Sequence, residues 1–192
     1  MNKLNDAINI CLTTIGETPL PAGTSITGNF EAETADTILE EALTEVLSQG
    51  YQFNTDEDYP LSPSNGTIVV PEGVLAIDAS QSSSDYIVKE GNLYDRGTLS
   101  SVFTETVKVN ITWDSAFDDL HPIPQLLVVA IAKMKLYSRV VGVDNMVNLL
   151  MQEVRDAKTT LLHEEMQSGD YSIFDGTDTR RVMNRTQNPN AL

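Results

Sequence analysis

Hydrophobic residues in this chain change period twice. They recur every three to four residues over 4–49, alternate every second residue over 51–113, and return to helical spacing from 126 to about 167. A period of 3.6 lines one face of a helix, whereas a period of 2 lines one face of a strand. The chain must therefore place helices at both ends and a sheet between them.

In the first stretch Leu4, Ala7, Ile8, Cys11, Leu12 and Ile15 share one helical face. Gly16 stops that helix, and Pro19 and Pro21 prevent its resumption. Residues 22–30 are small and polar and read as a loop. A second helix spans 31–49, with Ile38, Leu39, Ala42, Leu43, Val46 and Leu47 as its apolar stripe and Gly50 after its end. Glu31, Glu33 and Asp36 occupy its first turns, where the helix dipole favours negative charge.

Short segments rich in β-branched and aromatic residues follow at 51–54, 67–70, 74–79, 86–89, 93–95 and 107–113, separated by turn-forming residues. The last alternates cleanly and predicts one wet and one buried face. Pro122 and Pro124 open a third helix, where missing N–H groups cost little. Its residues 126–141 are apolar nearly all round for two turns, which suits a helix central to a bundle. Gly142 ends it, and Asp144 is placed to cap a fourth helix running to about Gln167, with Val147, Leu150, Met151, Val154, Leu161 and Leu162 inward. Residues 169–176 read as a docked turn and the remainder as an extended arm. The order predicts an α+β fold: a four-helix bundle from 1–50 and 122–168, an antiparallel sheet or small sandwich inserted at 51–121, and a C-terminal docked turn and extended arm over 169–192.

With 192 residues and an apolar fraction of 41%, the chain can bury a core without a disulfide or metal. Its one cysteine, Cys11, excludes an internal disulfide and a cysteine-cluster zinc site. Residues 1–12 show neither a long apolar run nor a small-residue cleavage site, so no secretory signal is read there. The longest apolar run, 126–132, is too short to span a membrane. The formal net charge is −16 and lies entirely in residues 1–121; residues 122–192 are neutral. Such an excess argues against a protein that grips nucleic-acid phosphates, which needs clustered Lys and Arg.

No dinucleotide, phosphate-loop, nucleophile-elbow or zinc-protease motif is present. His121, at a loop-to-helix boundary, reads as exposed or capping, and His163 as a cation suited to a helix end. Cys11 reads as a small buried hydrophobe. Asp56, Glu57 and Asp58 could supply an acid–base pair for glycoside hydrolysis or hold a cation, but their setting reads as a solvated loop tip, as does that of Asp118 and Asp119. Arg180, Arg181 and Arg185 are the only charges in the last 14 residues, and they suit an arm that docks on an acidic neighbour.

The order of short motifs resembles the tail tubular protein A family of short-tailed bacteriophages. The matching residues are Leu4-Asn5-Asp6-Ala7-Ile8 running to Ile15-Gly16-Glu17-Thr18-Pro19, then Gly50-Tyr51-Gln52-Phe53-Asn54, where the family usually has Trp in place of Tyr51. Ile68-Val69-Val70-Pro71, Leu93-Tyr94-Asp95-Arg96, Arg139-Val140-Val141-Gly142 and Gly169-Asp170-Tyr171-Ser172-Ile173-Phe174-Asp175 follow in the family's order. His121-Pro122-Ile123-Pro124 and the Lys133/Lys135 pair depart from the family's usual pattern around helix three. The resemblance implies a non-enzymatic structural protein of the virion tail, assembled in the host cytoplasm without a cofactor. It implies a ring of twelve copies between the head portal and the tail nozzle, tail tubular protein B, through which DNA passes without specific binding. Arg139, Arg180, Arg181 and Arg185 would serve contacts between subunits or with portal. The alternatives are a tail-associated hydrolase of surface polysaccharide and a monomeric head-completion protein.

Overall fold

The computed structural model describes residues 3–21, 23–80 and 85–168. The fold mixes helix and sheet. Four helices, α1 (Lys3–Thr14), α2 (Phe30–Leu47), α3 (Pro122–Val140) and α4 (Asn145–Ser168), flank five strands: β1 (Thr55–Leu61), β2 (Val74–Ala79), β3 (Tyr86–Lys89), β4 (Asn92–Asp95) and β5 (Val107–Trp113).

Helix α3 packs against α1, α2 and α4. Its near-continuous apolar surface makes this possible: Leu127, Val128, Ile131, Ala132 and Leu136 are all buried. They join Ile8, Leu12, Leu39 and Leu47 in one cluster. Pro122 lies in the first turn of α3, as its missing N–H predicts. Asp144 precedes α4, and its carboxylate accepts from the Met146 amide at 2.8 Å. Along α4, Val147, Leu150 and Leu161 are buried as expected, whereas Met151 and Leu162 face outward. At the start of α2, the side chain of Asn29 accepts from the Ala32 amide at 2.9 Å, and Glu33 reaches back to the Gly28 amide at 2.8 Å.

A three-stranded antiparallel sheet has the order β1-β5-β2, and β3 and β4 form a separate two-stranded ladder. The central strand β5 buries Val109 and Ile111, following its alternating sequence. Val109 pairs with Tyr59 and Ala79, and Ile111 pairs with Asp56 and Ile77. A second hydrophobic cluster, distinct from the helical one, gathers Leu61, Ile68, Leu93, Phe103, Val109 and Ile111.

Three strand assignments change. Residues 51–54 are not a strand: Gln52–Asn54 form a single turn of 3₁₀-helix. Gly50 reverses the chain at φ +68°, and Tyr51 is drawn into the helical cluster instead of a ladder. Residues 67–70 make only isolated bridges, Thr67 to Ser64 and Val69 to Asn92, while Ile68 is buried. Conversely, Asp56, Glu57 and Asp58 lie within strand β1 rather than at a loop tip. Their low strand propensity and Pro60 suit an edge position, where charge, a missing N–H and a bulge discourage further pairing. The register shifts between Asp56 and Tyr59, and Asp58 takes φ 55°.

Candidate functional site

The charged face of the molecule is built on the second half of α3. Lys135 and Arg139 are one helical turn apart, and so are Glu41 and Glu45 on α2. The helices run in opposite directions, so the pairs match in reverse order. Lys135 Nζ lies 2.6 Å from Glu45 Oε2, and Arg139 holds Glu41 through two parallel contacts of 2.7 and 3.1 Å. Lys133 points the other way, to Glu153 of α4, with contacts of 2.7 and 2.8 Å. The side chains of Lys133 and Lys135 are only 15% and 22% exposed, because their stems lie along the apolar helix surfaces. The hydrogen bonds from Arg139 hold the Glu41 carboxyl below the usual glutamate range, and Glu41 in turn raises the guanidinium. Arg139, singled out from the sequence as an interface residue, thus spans α3 and α2 within one chain. Arg180, Arg181 and Arg185 lie outside the described residues.

Of the acidic residues that suggested hydrolysis, Asp56 and Asp58 are held by neighbouring side chains, and Glu57 lies exposed on β1. Asp56 Oδ2 accepts from the Trp113 indole at 2.8 Å, and Asp58 accepts from the Ser80 hydroxyl. The Asp58 amide donates to Asn110 at 3.1 Å. These contacts tie β1 to β5 and to the end of β2. Asp118 is also used structurally: its carboxylate accepts from the Leu4 amide at 2.8 Å and so serves the N-terminus of α1. Lys3 adds hydrogen bonds to the carbonyls of Asp118 and Leu120. A partner 114 residues distant leaves no local sequence signal.

His121 precedes α3, and its Nδ1 lies 3.4 Å from Glu164 Oε1. His163 meets Gln167 one turn on, at 2.9 Å. Cys11 is buried, and loss of water pushes its thiol up to about 12, with Lys133 as a smaller opposing influence. A thiol held so firmly protonated is a poor nucleophile. Among the described residues no group of three His, Cys, Asp or Glu side chains is arranged to hold a metal ion, and no helix is long and apolar enough to cross a membrane.

The junction motif acquires a physical meaning that periodicity did not give. Asn54 is buried, and its Nδ2 donates to the carbonyl of Leu47 at 2.9 Å and to that of Trp113 at 3.0 Å. Tyr51 and Phe53 stack at 5.8 Å. The first motif closes similarly: Asn9 exchanges two hydrogen bonds with the backbone of Leu20, fixing the Gly16–Pro19 loop against α1. Two of the motifs that carried the resemblance thus join one element to the next.

The model of the tail tubular protein family matches residues 5–171. The chain is also 30% identical over 177 residues to tail tubular protein A of Klebsiella phage KP34, covering 92% of this chain and 94% of that one. With its motifs in order and a family match over most of its length, the chain belongs to the tail tubular protein family, structural components of the bacteriophage virion tail.

Proposed function

We propose that this protein is the adaptor subunit at the head-to-tail junction, forming a ring of twelve between portal and the nozzle protein, tail tubular protein B. The family match over residues 5–171 carries this reading. In it, the helices of 1–50 and 122–168 form a four-helix wedge that packs side by side, and heterologous contacts close the ring. The segment 51–121 is a separate platform toward the nozzle; its own hydrophobic cluster supports that division. The arm after Gly176 reaches a neighbouring molecule, where Arg180, Arg181 and Arg185 meet carboxylates. Arg139 contributes to the interface from the rim of the α2–α3 ion pairs.

DNA traverses the ring without specific binding. The net charge of −16, all of it before residue 122, supports a wall that repels phosphate. Light scattering of the protein mixed with purified portal tests the proposal: a particle with a full ring of added mass is expected. A complex that stops at isolated monomers on portal overturns it and favours the head-completion role. Hydrolysis of surface polysaccharide by a pair such as Asp56 and Glu57 gains no support from Asp56, whose carboxylate accepts from the Trp113 indole within the sheet.

A further inference from the structure

A groove of about 360 Å³ runs along α3 between α1 and α4. Its lining includes Ile10 of α1, Ile123, Leu126, Val129 and Ala130 of α3, and Thr160 of α4. Ile10 is 46% exposed and Leu126 60% exposed, so apolar surface remains open to water on either side of a helix that is otherwise central to the core. An uncovered strip of this kind costs free energy in proportion to its area.

We propose that the chain's own segment Tyr171-Ser172-Ile173-Phe174 occupies this groove, with Phe174 beside Leu126. Three observations converge on this occupant. The first is where the described chain ends. Helix α4 finishes at Ser168, eight residues beyond Thr160. Those eight residues correspond to about 12 Å of helix. A chain that turns back after α4 recovers that distance in about four extended residues. The second is composition. Gly169 and Asp170 are turn formers, and Tyr171 and Phe174 are the only aromatic residues after α4. The third is geometry. The His121–Glu164 contact shows that the C-terminal half of α4 lies beside the start of α3. A segment returning on the Thr160 side of α4, where the groove lies, therefore meets Ile123 and Leu126 first. The inference concerns one chain and stands whether or not twelve copies form a ring.

Proximity cross-linking in the full chain tests it. Thr160→Cys and Ser172→Cys are introduced together and treated with a short bismaleimide at low protein concentration. The native thiol does not compete, because Cys11 is buried and firmly protonated. A second protein with Thr160→Cys and Asn190→Cys serves as the reference. The expected result is an intrachain product formed about tenfold faster than in the reference, because docking raises the local concentration of residue 172. Phe174→Ser should return the rate to that of the reference, as should Leu126→Asp, at a position 60% exposed. Equal rates in the two double-cysteine proteins overturn the proposal. So does an interchain product, which would assign the groove to a second copy, or a fast intrachain reaction that Phe174→Ser leaves unchanged.

Discussion

Asn54 and Gly50 show how much of the fold depends on single residues. Gly50 sits at φ +68°, and a Cβ there would come within 3.2 Å of the Thr112 hydroxyl. Gly50→Ala is expected to lower unfolding stability by about 1–2 kcal/mol, from the left-handed backbone alone; urea denaturation measures it. On α2, Asp36 and Glu41 respond to acid in opposite ways. Burial raises the Asp36 carboxyl, and among the described residues its Oδ1 has no hydrogen-bond partner. Its ionised form opposes folding at neutral pH, and that cost disappears as pH falls and the carboxyl is protonated. Glu41 is lowered, so its pair with Arg139 is intact above the ordinary value of 4.5 and is lost as pH falls through the depressed value. Asp36→Asn should raise the thermal midpoint at pH 7 and lose that advantage in acid. Glu41→Gln should lower it at pH 7 and converge on the parent in acid. Midpoints taken across pH 7 to 3 separate the two.

Among the elements, α3 shows most clearly what sequence reveals. Its apolar circumference suits a central helix, and α1, α2 and α4 all pack against it. Leu127→Ala, at a position 2% exposed, should cost about 2–5 kcal/mol by the cavity it leaves, read from the same urea midpoints. Strand β5 was equally legible, because alternation reports a buried face. Strand β1 was not. Thr55-Asp56-Glu57-Asp58 reads as a loop by propensity, and only pairing with β5 at a sheet edge makes it a strand. The uses of Asp118 and Asn54 were hidden for a different reason. Each serves backbone groups far along the chain, and hydrophobic periodicity carries no record of such pairings. For Asn54 the sequence offered instead a short motif, Gly50–Asn54, which marked the position without its cause.

For the molecule as a whole, charge distribution separates an acidic first part from a neutral second part with basic residues near its end. If the arm serves assembly, deleting residues 177–192 leaves the far-ultraviolet circular dichroism of the remaining chain unchanged and weakens association with portal. Normal association of the shortened protein would remove the arm from the mechanism. The salt dependence should have a definite sign. Binding through Arg180, Arg181 and Arg185 weakens as salt rises, whereas repulsion between acidic copies is relieved. Sedimentation at two salt concentrations, with and without portal, resolves the two effects.

The amide of Asn54 touches the last residue of α2 and the last residue of β5. The chain therefore leaves the helices and comes back to them at one knot, with 55–113 as a loop of fold between two adjacent ends. A segment tethered in that way is interchangeable in principle. A replacement of different length or strand count would need to return a carbonyl to the same amide. The knot thus gives both ends of the sheet segment one point of attachment, held by the Asn54 amide.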